Sequence, residues 1–194
     1  MTSDTVTSSA GHASREGHDA APEPDSLDKA ILWDFGDNHQ LELMIADSRW
    51  STLIDDDLKS DVKKLVQFVS ALLEASAFTA CLRFTHDQEM QTLNAQFRQK
   101  DKATNVLSFP DHDGEEGAII RLGDLAFGFE TMKQESEEVD ISLSDHLRHL
   151  IIHGLLHLIG CDHETDDDAE EMEGLEIAAL TVIGVGNPYL GELV

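Results

Sequence analysis

Residues 143–163 read LSDHLRHLIIHGLLHLIGCDH, and the fold follows from how this run is divided. Positions 143–159 are strongly apolar apart from His146, His149, His153 and His157, and they predict a helix that Gly160 stops. A helix stacks residues i and i+4 on one face, one turn apart. Two imidazoles so spaced can reach one metal ion. Spacing alone allows either His149 with His153 or His153 with His157. The third ligand decides between them. Gly160 can take the left-handed conformation that ends a helix and reverses the chain. His163, three residues further on, then returns toward the face that carries His153 and His157. Three corners of a tetrahedron are closed and the fourth is left for water, as in a catalytic rather than a structural zinc site. His146 and His149 are assigned to packing or to orienting a ligand imidazole.

Working outward, residues 164–183 begin with acids and turn apolar, which predicts a last helix with its carboxylates at the positive end of the dipole. Residues 130–138 suit a short polar helix. AIIRLGDLAFGF, 118–129, reads as one strand or two broken near Gly123, and 111–117 as an acidic loop. NVLSF, 105–109, predicts a short strand stopped by Pro110. Thr85 and Gln88 are spaced as a capping box ahead of a helix carrying Met90, Leu93 and Phe97. FTACLRFT, 78–85, alternates as a strand does. Residues 55–76 place Leu58, Val62, Leu65, Val66, Val69, Leu72 and Leu73 on one helical stripe, and LELMIA, 41–46, predicts another strand. Helices and strands are interspersed, with too few strands for a large wound sheet. The expectation is a single α+β domain, a small mixed β-sheet packed against several α-helices. It spans 28–194 behind a disordered acidic tail at 1–27, which has no apolar periodicity.

The chain has 194 residues, 41% of them hydrophobic, enough for one proper core. Against 13 Lys and Arg stand 39 Asp and Glu, a formal net charge of -26. Such a field opposes non-specific contact with nucleic acid or anionic lipid, so a polyanionic partner needs a local basic patch. Cys81 and Cys161 are too few for a disulfide framework, and they read as free thiols of a reducing compartment. No apolar run approaches the roughly 20 residues that span a bilayer, and the first residues lack the apolar middle of a signal peptide.

Zinc peptidases carry H-E-x-x-H-x-x-G-x-x-H, with a glutamate that takes a proton from bound water and hands it to the leaving amine. Here that position is Gly154. A phosphodiester asks less: zinc lowers the pKa of bound water to about 7, an arginine can stabilise the added charge, and RNA brings its own 2′-hydroxyl. The missing glutamate argues against a standard peptidase and leaves a phosphodiesterase open. Cys161, beside the turn, reads as a small buried side chain rather than a ligand. Asp162 and the run Asp166, Asp167, Asp168 could accept hydrogen bonds from ligand imidazoles, although acids in a first helical turn ordinarily face water.

HGLLHLIGCDH closely resembles the YbeY family pattern H-G-x-L-H-L-x-G-[YF]-D-H, departing once, at Cys161. LNAQFRQKDKATNVLSFP, 93–110, matches the family's L-N-x-x-[YF]-R-x-K-D-x-x-T-N-V-L-S-F-P, and LGDL at 122–125 and GNPY at 186–189 also look like family positions. The resemblance covers about 40–190. It implies zinc held by His153, His157 and His163, with a functionally important Arg98. The activity implied is single-strand-specific endoribonuclease cleavage in small-subunit ribosomal RNA 3′-end maturation and ribosome quality control. That work would be done in the cytoplasm, with the small ribosomal subunit and its assembly factors as partners and no membrane.

Beside the family, Arg98, Lys100 and Lys102 form the densest basic cluster of the chain. Arginine offers a planar fork for phosphate. If this loop faces the histidines, the two together make a positive cleft in an acidic protein. Thr104, Asn105 and Ser108 either line that cleft or satisfy strand ends. Two rival functions remain at this level: a ribosome-biogenesis binding factor with a mainly structural metal, and a zinc hydrolase or peptidase using Asp162 or Glu164 as base. Nickel, copper and iron also accept three imidazoles.

Overall fold

The computed structural model describes residues 28–74, 77–111 and 119–191. The tail at 1–27 and most of the expected acidic loop at 111–117 therefore lie outside the described residues. Five strands form one mixed sheet: β1 (Lys29–Asp34), β2 (Gln40–Ile45), β3 (Phe78–Thr85), β4 (Val106–Pro110) and β5 (Ile120–Gly128). The strand order is β1-β2-β3-β5-β4. The central pairs β2–β3 and β3–β5 are parallel, and the outer pairs β1–β2 and β4–β5 are antiparallel.

Alternation along the strands makes two faces. Leu41, Leu43, Leu82, Phe84, Leu125 and Phe127 point into the main core, which is completed by α1 (Asp56–Leu73), α4 (Leu143–Leu158) and α5 (Asp166–Ile183). Leu107 and Ala126 point the other way and meet Met90 of α2 (Asp87–Arg98). The α+β expectation therefore holds, with helices on both faces and α4 as the central one. Leu147, Ile151, Ile152, Leu155 and Leu156 of α4 are fully buried. Arg148 on the same helix is buried too, and its Nε donates to Asp61 Oδ2 of α1 at 2.9 Å.

Several local expectations shift. Strand β1 was not anticipated. It is an edge strand whose burial is confined to Trp33 and, in part, Ile31, so its alternation signal is weak. The cap of α2 lies one residue later than the capping box placed it. The Nδ1 of His86 accepts from the Glu89 N–H, while Thr85 ends β3 and donates its hydroxyl to the Glu89 side chain. Where one strand or two were expected, the structure has the single strand β5, with a bulge, since Thr79 pairs with Arg121 and Ala80 with Gly123. Gly123 is required there. Its φ is +130°, and a Cβ would lie 2.1 Å from the Phe109 carbonyl oxygen. The polar segment 130–138 is α3 (Phe129–Glu138).

Candidate metal centre and basic cleft

Helix α4 starts on Ser142, whose hydroxyl accepts from the Asp145 N–H at 3.0 Å. It ends as the glycine foretells. Gly160 has φ +94°, the Cys161 N–H bonds back to the Leu156 carbonyl at 3.0 Å, and the Gly160 N–H bonds to that of His157 at 3.1 Å. This pair of bonds is the Schellman termination. It turns the chain so that His163 faces His153 and His157, with ring centroids 5.7 and 5.0 Å away. One ligand nitrogen from each of the three lies within 4.8 Å of the others.

Tautomers show what this cluster is suited to hold. His157 Nδ1 donates to the Cys161 carbonyl oxygen at 2.9 Å. His153 Nδ1 meets Glu176 Oε1 at 2.8 Å. A carbonyl can only accept, and Glu176 is an ionised carboxylate, so both Nδ1 atoms carry the proton. Both Nε2 atoms then present bare lone pairs, and they stand 3.1 Å apart. Two acceptors at that distance repel each other unless a cation lies between them. Zn–N bonds of about 2.0–2.1 Å in a tetrahedron would set their nitrogens roughly 3.3 Å apart. Burial, and after it the neighbouring His153, push the His157 pKa below its ordinary value, which keeps the lone pair available. The donor set fits a metal ion.

Glu176 is the residue that sequence reasoning missed. It sits on α5, only 1% exposed, between Met172 and Leu180 on that helix's buried side. Burial works against its charge, but hydrogen bonds from His149, His153 and Tyr189 outweigh it and hold its pKa at about 2. His149 Nε2 donates to Oε2 at 2.7 Å, and the Tyr189 hydroxyl donates to the same oxygen. A carboxylate interrupting a buried helical stripe was the available signal. His149, His153 and Glu176 are themselves close enough to hold an ion. Their protons and lone pairs already satisfy one another, so this second group reads as the support of the first. His149 thus holds Glu176, the carboxylate that meets His153. His146 is buried and pairs through Nε2 with Glu135 Oε2 at 3.0 Å.

The structure gives Gly154 a packing role. It is buried in the core, where a Cβ would come within 2.8 and 2.9 Å of the Leu125 methyls. The glycine lets α4 press onto β5. The acids Asp162, Asp166, Asp167 and Asp168 are exposed, and the acceptors actually used by the imidazoles are Glu176 and a backbone carbonyl. Cys161 is half-buried and packs its side chain against the main core. Burial, and then the charge of Glu171, raise its thiol pKa, which favours the unreactive form.

The histidines open onto a cleft of about 690 Å³ that is also lined by Arg98, Lys100, Lys102, Asp162 and Glu164. The basic loop therefore does face the histidines. Among the described residues Arg49, Arg83, Arg121 and Arg148 each pair with a carboxylate. Arg98 instead donates from Nη2 to the Ser108 carbonyl oxygen at 2.9 Å and has no carboxylate partner among the described residues. Thr104, Asn105 and Ser108 all line the cleft, and Asn105 also serves a strand end. Its amide nitrogen donates to Glu135 at 2.8 Å and its oxygen accepts from the Val106 N–H at 2.6 Å.

A family model described as Endoribonuclease YbeY matches residues 44–184. The chain belongs to the YbeY family. A YbeY endoribonuclease of Erythrobacter litoralis is 41% identical over 157 residues, covering 77% of this chain and 98% of the relative. One of Agrobacterium fabrum is 49% identical over 113 residues, covering 57% of this chain and 67% of the relative. In fold, this YbeY chain resembles the solution structure of TM1509 from Thermotoga maritima, with a TM-score of 0.50 and 23% identity over 73% of this chain and 90% of that one. Among the described residues no helix is long and apolar enough to cross a membrane.

Proposed function

We propose that this chain is a zinc-dependent endoribonuclease that cuts single-stranded RNA, with His153, His157 and His163 as the metal ligands and Arg98 as the catalytic arginine. The observation that carries the reading is the meeting, in one cleft, of three converging imidazoles and an arginine that has no carboxylate partner among the described residues. Zinc bound there would supply Lewis acidity toward a phosphate oxygen and toward water. The chain's own residues do the rest. Glu176 and the Cys161 carbonyl keep the Nδ1 atoms protonated and the Nε2 atoms aimed at one point. Arg98 offers its remaining N–H groups to phosphate oxygens, where charge builds during cleavage. Lys100 and Lys102 attract the strand electrostatically. Gly154 packs on Leu125 and offers no carboxylate in the place of the peptidase glutamate; among the described residues Asp162 and Glu164 are the carboxylates that line the cleft.

Family membership supports the narrower role: 3′-end maturation of small-subunit ribosomal RNA and ribosome quality control in the cytoplasm, with the small subunit and its assembly factors as partners. The test uses nuclease-free protein loaded with zinc, beside His157→Ala purified identically. Cutting of single-stranded RNA by the first, and loss of metal and then of cutting in the second, are expected. Equal cutting by both would refute the assignment. End groups separate the two chemistries, since a 2′,3′-cyclic phosphate marks attack by the 2′-hydroxyl and a 3′-hydroxyl marks attack by water.

A further inference from the structure

We propose that the free edge of β4 is a phosphate seat, in which the Ser108 backbone N–H and the Arg98 guanidinium together hold a phosphate of the RNA strand. The proposal deepens the endoribonuclease reading and rests on it. Its basis is the register of β4. The Gly128 N–H bonds to the Asn105 carbonyl and the Asp111 N–H to that of Leu122, and every pair of the β4–β5 ladder falls in the same frame, with Val106 facing Phe127, Ser108 facing Leu125 and Pro110 facing Gly123. Antiparallel strands alternate bonded and non-bonded pairs. Residues 105, 107, 109 and 111 therefore spend their backbone groups on β5. Val106, Ser108 and Pro110 point theirs away from it, off an edge that no further strand covers among the described residues. All three line the cleft of the histidines.

These outward groups are not equivalent. The Val106 N–H is taken by the Asn105 side chain, the Ser108 carbonyl by Arg98, and Pro110 has no N–H. An extended peptide adding to this edge would need those groups, so peptide addition is blocked. What survives as a donor is the Ser108 N–H, with no protein partner among the described residues although Ser108 is only 9% exposed. A backbone N–H with no protein partner that opens onto a cleft is available to a group bound there. Arg98, anchored on the carbonyl of the same residue, brings a cation beside it. One amide donor and one guanidinium off the same edge suit an oxyanion, and a phosphate is the oxyanion an RNA strand carries at every step. The size of the cleft is that of sites for small ligands, which suits a short run of single strand rather than a duplex face.

Ser108→Pro deletes this N–H and no ladder bond, and Pro110 two residues on shows that the edge accepts proline in that frame. Affinity for a cleavage-resistant 2′-O-methyl single-stranded oligonucleotide should fall roughly 10- to 100-fold, and RNA cutting with it, at unchanged zinc content. A folded, zinc-loaded Ser108→Pro protein that binds and cuts like wild type overturns the seat and leaves the endoribonuclease reading standing. The wild-type Ser108 amide gives a second test that needs no variant. Its NMR signal should shift and its hydrogen exchange should slow when the same oligonucleotide is added. An unmoved Ser108 amide, or no binding at all, overturns the proposal. Binding through Ser108 without cutting keeps the seat and removes the nuclease.

Discussion

Replacing Gly154 with alanine adds one methyl group where α4 meets β5, and the sign of its effect separates two accounts of this glycine. In an open helix position the change gains about 1 kcal/mol, because glycine costs that much in helix propensity. Here the new Cβ would stand 2.8 and 2.9 Å from the two methyls of Leu125, which is 0% exposed. Something must shift, and the neighbours are fully packed. Overpacking of this kind costs about 1–3 kcal/mol, so the net expectation is a destabilisation of about 0–2 kcal/mol. At this chain length each kcal/mol lowers Tm by about 2–4 °C. The assay is thermal or urea unfolding of zinc-free protein, in a double-mutant cycle with Leu125→Ala. If the contact is real, Leu125→Ala should cost less in the Gly154→Ala background than alone, with a coupling of about 0.5–3 kcal/mol. Zinc affinity should fall in Gly154→Ala, since His153 is the next residue, and recover in part in the double variant. A Gly154→Ala protein more stable by about 1 kcal/mol, with no coupling to Leu125, would refute the reasoning. Gly154→Glu is a different experiment from restoring a peptidase base. It buries a carboxylate against leucine, costing several kcal/mol, and loss of soluble protein is the expected result.

Arg98→Lys should retain zinc and lose cutting by about 30- to 1,000-fold, because an ammonium keeps the charge but not the fork; the loss corresponds to about 2–4 kcal/mol of transition-state stabilisation. Wild-type single-turnover rates in Arg98→Lys would remove it from the catalytic role. Glu176→Gln should weaken zinc binding about 10- to 100-fold in competition titrations, and unchanged affinity would show that the His153 orientation does not depend on the carboxylate. Burial raises the pKa of Asp61, but its bonds to Lys64 and Arg148 more than offset that and hold it below the ordinary carboxylate value. Its contribution is present above the unfolded-state value of about 4 and is lost as pH falls below it. Asp61→Asn should therefore cost about 1.5–3 kcal/mol at pH 7 and show a shallower fall in Tm between pH 5 and 3; an equally steep fall would assign the acid sensitivity elsewhere. Deleting residues 1–27 should leave Tm and RNA cutting unchanged, and a large loss of either would give the tail a structural role.

The sequence by itself determined whatever depends on near neighbours along the chain. The His153–His157 pair and the Gly160 reversal that returns His163 lie within eleven residues, and helix pitch and one left-handed glycine suffice to build them. The helical stripe of α1 from Leu58 to Val69 and the alternation of β3 were legible for the same reason, since burial on one side imposes a period, whereas Leu72, placed on the same stripe, is exposed near the helix end. Tertiary structure decided the rest. Glu176 reaches His153 from 23 residues away, and Tyr189 reaches Glu176 from beyond the end of α5. Only the packing of α5 across α4 says that this acid is buried. In the sequence Gly154 shows only that the peptidase glutamate is missing, and its packing role appears once β5 is laid against it. The edge of β4 exists only once the strand order is known, because which backbone groups stay unpaired is a property of the whole sheet. Local backbone geometry is written in consecutive residues, whereas the partner of a buried polar group is chosen by which distant surfaces the core brings together.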